Sequence, residues 1–89
     1  MSSRVAVMSI IVENMEMVEQ INCILHENGK YIIGRMGLPY RERHINIICI
    51  ALDAPQDVIS ALSGKIGALA GVGVKTAYSS KVYDDTRNP

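Results

Sequence analysis

An α+β domain with the element order β-α-β-β-α-β is what this 89-residue sequence predicts, on three observations. Two segments, 4–12 and 44–52, are apolar on both alternating faces, the mark of strands covered on both sides. Two others carry a single apolar stripe at helical spacing, each closed by a glycine. The rest supplies two more strand patterns that complete the order. Composition agrees: Trp and Phe are absent, and the apolar residues are mostly Ile (twelve), Val (eight), Ala (seven) and Leu (five). Such a core is aliphatic and β-branched, which favours sheet.

Taken in order, the segment 4–12 (RVAVMSIIV) sets Val5, Val7 and Ile11 on one face and Ala6, Met8, Ile10 and Val12 on the other. Asn14 is the expected N-cap of the first helix, with Glu16 in the first turn complementing the positive end of the dipole. Met15, Val18, Ile21, Asn22 and Leu25 share its inner stripe, and Glu16, Glu19, Gln20, Cys23 and Glu27 the opposite face. Gly29 is expected to stop it at positive φ. The segment 30–36 (KYIIGRM) reads as a second strand, broken by Gly37, Leu38, Pro39 and Tyr40 into a hairpin with a long polar tip. The third strand is 44–52 (HINIICIAL). Pro55 suits the first position of a second helix, Asp57 its first turn, and Val58, Ile59, Leu62, Ile66 and Leu69 its buried stripe. Gly71 ends it, and Val72, Val74, Thr76 and Tyr78 alternate as the last strand. One domain over 1–79 with a polar, mobile tail at 80–89 is expected.

This order in so short a chain is the split βαβ or ferredoxin-like arrangement, a four-stranded antiparallel sheet with both helices on one face. The other face has no cover within the chain, yet the first and third strands are apolar on both sides. A homo-oligomer, dimer or tetramer, is therefore expected. Nine basic and nine acidic residues cancel, so no net field draws the chain to phosphate backbones or anionic lipid, and neither nucleic-acid nor membrane binding is expected. No apolar run approaches the ~20 residues of a membrane span, and the first residues lead straight into a strand pattern, so the expected location is cytoplasmic. Cys23 and Cys49 have no C-x-x-C spacing and read as reduced thiols.

Several functions common to such folds lack their residues here. There is no cysteine run for an iron-sulfur cluster, no C-x-x-C for a soft metal, and no strand aromatics to stack bases. His26 and His44 have no evident acid or serine partner, and Ile11-Val12-Glu13-Asn14 lacks the arginine and glycines of an anion loop after the first strand. No catalytic residue and no cofactor is predicted. The densest polar cluster is GRMGLPYRERH at 34–44, where Arg35, Arg41 and Arg43 stand beside the Tyr40 hydroxyl. Arginine presents forked donors that match a carboxylate or phosphate. Residues 41–43 also fit an ordinary solvated hairpin tip, whereas Arg35, inside a strand, needs a designated partner. His44 and Cys49 are the one nearby pair of soft or borderline metal ligands, but their spacing sets them on opposite strand faces, so an ion would have to be shared across an oligomer interface. Ser60, Gly64 and Ala68 make a small-residue strip on the second helix, open to a close neighbour or explained equally by fraying toward Gly71.

The motif GRMGLPYRER at 34–43, the opening RVAV with IVE at 11–13, and ALSGKIG at 61–67 followed by Gly71-Val72 together resemble the iron-only hydrogenase system regulator family over almost the whole chain. The resemblance implies an ACT-like ferredoxin fold, oligomerisation through sheets or helices, and a regulatory role near iron-only hydrogenase and its maturation proteins. Its kinship with ACT domains implies a small ligand, typically an amino acid, held between the first loop and a neighbouring subunit, where Glu13 and Asn14 stand here with the helix-end glycines nearby. The nickel site of NikR regulatory domains does not carry over, because the supporting histidines are missing. The expectation is a non-enzymatic, oligomeric regulatory module that binds a small anionic or amino-acid-like ligand through Glu13, Asn14, Arg35, Tyr40, Arg41 and Arg43, and signals to a protein partner. The alternatives are a metal-dependent sensor using His44 and Cys49 at an interface, and a purely structural oligomeric adaptor.

Overall fold

A computed structural model describes residues 2–84. The strands are β1 (Ser2–Val12), β2 (Ile32–Tyr40), β3 (Ile45–Ala54) and β4 (Val72–Asp84), with helices α1 (Val18–Glu27) and α2 (Gln56–Gly67) after β1 and β3. They form one sheet of order β2-β3-β1-β4 in which every neighbouring pair is antiparallel. The expected ferredoxin-like topology is the observed one. The two segments that are apolar on both faces became its two interior strands, where each pairs on both edges.

Register decides which face is covered. Ala6, Met8, Ile10 and Val12 of β1 are buried beside Ile48, Ile50, Leu52 and Ala54 of β3, under Ile21 and Leu25 of α1 and Ile59, Leu62 and Ile66 of α2. The alternate residues point away from the helices: Val7 pairs with Ala51, Ser9 with Cys49 and Ile11 with Ile47, and β2 adds Met36 beside Cys49 and Leu38 beside Ile47. A strand has a side-chain period of two, so one register sorts both sets at once.

Five local expectations are corrected. Asn14 does cap, accepting the Glu16 N–H on Oδ1 at 3.1 Å, but what it caps is a 3₁₀ turn at Met15–Met17 that precedes α1. Met15 therefore leaves the inner stripe and is exposed. Gly29 does not stop α1 at positive φ; Asn28 does the work, its Nδ2 donating to the Ile24 carbonyl at 2.8 Å and its N–H to that of Leu25 at 3.2 Å, and Gly29 opens a second 3₁₀ turn. Those bonds satisfy carbonyls the helix end leaves without partners. Strand β2 does not break at Gly37 but runs through Pro39 to Tyr40, which an edge strand with a single partner tolerates. Pro55 is the N-cap of α2 rather than its first residue, with ψ 149 and its carbonyl accepting from Val58 and Ile59. Finally, β4 passes Tyr78 and, after a bulge opposite β1 between Arg4 and Ala6, pairs Val82, Tyr83 and Asp84 with Arg4, Ser3 and Ser2. Residues 80–84 of the expected mobile tail are thus strand, and 85–89 lie outside the described residues.

One closure holds the end of the sheet where the first loop lies. The Glu13 N–H donates to the Gly71 carbonyl at 2.7 Å, and Gly71 takes φ 74. A Cβ at position 71 would lie 2.7 Å from the Asn14 Cβ, so both the conformation and the space call for glycine.

Candidate functional site

The six residues singled out for ligand binding fall into separate places. Arg35 sits on the helix side of edge strand β2, opposite Ile50, and its Nη2 donates to Asn22 Oδ1 of α1 at 2.5 Å. Asn22 is the designated partner that a strand arginine needed. The two residues bound a cleft of about 630 Å³ between α1 and β2, lined also by Glu19, Cys23, Leu25, His26, Glu27 and Ile32. Positions 19, 22, 23 and 26 share one flank of a helix, and α1 turns that flank toward β2. Among the described residues Asn22 is the sole hydrogen-bond partner of Arg35, so a forked cation faces the cleft with donors to spare.

Tyr40 and Arg41 lie about five residues further along, roughly 16 Å at strand rise. They line a second cleft, of about 490 Å³, with Met15, Pro39, His44, Ile45 and Asn46. Its walls come from the turn after β1 and the β2–β3 hairpin, which share this end of the sheet because Val12 pairs with Asn46 and Asn46 with Pro39. The hairpin tip is a 3₁₀ turn, Arg41–Arg43, closed by His44 at φ 56, where the His44 N–H donates to the Arg41 carbonyl at 3.2 Å. The Tyr40 hydroxyl donates toward Glu42 Oε2 at 3.5 Å. Arg43 is exposed and lines neither cleft. Glu13 and Asn14 adjoin the second cleft through Met15, but the Asn14 amide oxygen is committed to its cap and the Glu13 backbone to Gly71.

His44, in the hairpin turn, and Cys49, opposite Ser9 and Met36 on the uncovered face, are not brought together within the chain. No three His, Cys, Asp or Glu side chains among the described residues gather as a metal site would need. No helix among them is long and apolar enough to cross a membrane.

Residues 4–76 match the TM1266-like family, whose description reads "Iron-only hydrogenase system regulator, putative". The chain belongs to that family. The matched stretch takes in β2, β3 and both helices whole, nearly all of β1 and the start of β4, with both clefts and the GRMGLPYRER hairpin. Among solved structures the chain is similar to uncharacterized protein TM1266 from Thermotoga maritima, with 38% identity and a TM-score of 0.82 over 85% of this chain and 96% of that one. It is also similar to a formyltetrahydrofolate deformylase from Pseudomonas putida KT2440, at 14% identity and a TM-score of 0.60, over 82% of this chain and 28% of the deformylase. That likeness shows a shared fold and nothing of deformylase chemistry. No curated protein matches the chain. The description of the TM1266-like family is that of a regulator.

Sequence reasoning found Arg35 but not the rest of its cleft. One sign was present: Asn22 is the lone polar residue among Val18, Ile21 and Leu25, and a polar group at an inward position needs a partner. Glu19, Cys23 and His26 carried no such sign, because which flank of α1 meets β2 is decided by packing. A second polar cluster also went unseen. Arg4 donates from Nη1 to Gln56 Oε1 at 3.0 Å and from Nη2 to the Ser79 carbonyl at 2.7 Å, with its guanidinium 4.6 Å from the Tyr78 ring centroid. Gln56 Nε2 in turn donates to the Tyr78 hydroxyl at 3.0 Å. These bonds pin the start of α2 to β4 and serve the fold.

Proposed function

We propose that this member of the TM1266-like family is a small-ligand-binding regulatory module of the iron-only hydrogenase system that works as a homo-oligomer and passes its signal to a protein partner. One observation carries the reading, the sheet face turned away from the helices. Val7 and Ile11 are each 46% exposed there, Met36 57% and Leu38 54%, with Ile47, Cys49 and Ala51 half-buried between them. Four strands about 4.8 Å apart and about nine residues long give a face of roughly 19 by 30 Å. That is of the order of the ~800 Å² each partner contributes to a standard interface, and a monomer rarely leaves so large an apolar patch in water. Only Lys75, opposite Ser9, and Asp53, opposite Val5, bring charge to the paired rows of this face. A second copy offers the same lattice in return, as an isologous contact requires.

The arginine-bearing clefts support the ligand part of the reading: Arg35 in one, Tyr40 and Arg41 in the other, with Arg43 on the exposed tip beside it. A guanidinium presented to a cleft suits a carboxylate or phosphate. Signalling then follows from geometry, since β2 contributes Arg35 to the helix side and Met36 and Leu38 to the other, so a ligand that shifts this strand is felt at the interface.

Native mass spectrometry of the untagged protein tests the reading in one spectrum, reporting subunit count and any retained small mass. The expected result is a dimer or tetramer with a discrete adduct, and a variant pair, Ile11→Lys and Leu38→Lys, that runs as monomer. A monomeric parent overturns the oligomer, and a clean oligomer whose melting temperature no metabolite alters leaves the structural adaptor.

A further inference from the structure

The two clefts differ in what lines them. Glu19 and Glu27 stand along the one between α1 and β2, whereas the one between the turn after β1 and the β2–β3 hairpin has no carboxylate among its lining residues. Arg41, His44 and Asn46 line it instead, and among the described residues no hydrogen bond takes up the donors of their side chains. Glu42, the one carboxylate of the hairpin tip, accepts from the Tyr40 hydroxyl and does not line the space. A guanidinium brings five N–H donors, a carboxamide two and an imidazole at least one, so donors are in surplus here. His44 is also the one non-glycine residue among those described at positive φ, a conformation that glycine would adopt freely, yet the chain keeps an imidazole there. Apolar groups complete the walls: Met15, Pro39, Ile45 and the Tyr40 ring. At about 490 Å³ the space lies within the ~300–1,000 Å³ of small-molecule sites and exceeds what a bare oxyanion fills.

We propose that this hairpin cleft binds an organic phosphate monoester, its phosphate taken by Arg41, His44 and Asn46 and its carbon body lying against Met15, Pro39 and the Tyr40 ring. The assignment rests on the ligand-binding reading above and names the site and the ligand class. Donor count favours phosphate over the other anions. A guanidinium fork matches two oxygens at once, which satisfies a carboxylate completely and leaves the imidazole and the carboxamide idle. A phosphate monoester has three strong acceptor oxygens, so the fork takes two and the third falls to His44 and Asn46. An amino acid finds no carboxylate in this lining for its ammonium, and a simple cation meets Arg41. The apolar walls, idle toward inorganic phosphate, are covered by the body of an ester.

The test is a nuclear magnetic resonance titration of the full chain at millimolar concentration with phenyl phosphate, glycerol 3-phosphate, ribose 5-phosphate and adenosine 5′-monophosphate, following the Met15 methyl, the Tyr40 ring, the Arg41 Nε–H and the Asn46 side-chain amide. At least one ester moves these signals saturably, and its parent alcohol, inorganic phosphate and benzoate each bind about tenfold more weakly or worse, as expected when charge-assisted contacts or the apolar walls go unused. Arg41→Ala, at an exposed position, weakens binding about tenfold, and His44→Gly, which suits the backbone at φ 56, weakens it with the hairpin intact. Lys30→Ala removes the same charge as Arg41→Ala but precedes the opposite end of β2, and it leaves binding unchanged. If benzoate binds as tightly as the best ester, the site takes anions at large and the phosphate assignment is overturned; equal binding by inorganic phosphate overturns the role of the apolar walls. Shifts confined to Asn22, Cys23 and Arg35 overturn the site and leave the ligand-binding reading standing. If no ester produces a saturable shift, the proposal fails, and the ligand-binding reading is then decided separately by the retained mass in the native spectrum.

Discussion

The two faces of the sheet are made from the same strands and nearly the same residue types, yet their surroundings differ. On β1, Met8, Ile10 and Val12 are 0% exposed under the helices, while their neighbours Val7 and Ile11 are each 46% exposed on the other side. Hydrophobicity alone does not say which face forms the core. What separates them is the pair of amphipathic helices, whose stripes of Ile21 and Leu25, and of Ile59, Leu62 and Ile66, can cover one face only. The covered face holds the monomer together. The open one, equally aliphatic, contributes little until something lies against it.

Substitutions at adjacent positions put that contrast to the test, and the largest effect belongs to the core. Ile10→Ala removes a fully buried side chain and costs about 3–4 kcal/mol, whereas Ile11→Ala, in protein dilute enough to be monomeric, costs about 1 kcal/mol or less. Urea denaturation of the two variants checks this directly, and equal losses would break the distinction between the faces. Gly71→Ala comes next, at about 2 kcal/mol, since a left-handed backbone costs ~1–2 kcal/mol for a side-chain-bearing residue and the added Cβ meets Asn14. Thermal unfolding measures it. Asn14→Ala loses the cap of the turn before α1 and is expected to cost about 1 kcal/mol, with hydrogen exchange at the Glu16 amide rising before that of the sheet. Smallest of all, Leu38→Lys leaves monomer stability within about 0.5 kcal/mol, and light scattering on parent and variant shows whether the parent self-associates and whether the same change abolishes it.

Legibility in the sequence followed the same division. Interior strands declared themselves because β1 and β3 are apolar on alternate and intervening positions alike. The edge strand β2 was cut short in the reading because Gly37 and Pro39 spell a turn, while a strand with one partner and one free edge accommodates both. Residues 80–84 looked like a tail because Ser79, Ser80 and Lys81 are polar, yet their bulge lets Val82 and Tyr83 rejoin β1. Local chemistry misled at Gly29 too, where the neighbouring asparagine side chain supplied the helix stop. Of the candidate ligand residues, Arg35 was visible as a charge inside a strand. That Tyr40 and Arg41 would share a cleft with Met15, and that Arg43 would stand apart, depended on the hairpin's register with the loop after β1. Register arises from pairing across the whole sheet and has no local signature.

The placing of β1 between β3 and β4 bears on how the chain comes together in time. The first strand made needs as neighbours the third and the last, so its two ladders close across most of the sequence, and such distant pairings are slow to form. Until β4 arrives, one edge of a strand that is apolar on both faces is open to any other extended chain. Assembly therefore completes only after synthesis has passed Asp84, and the newly made chain, more than the finished fold, is the form that requires protection from its own kind.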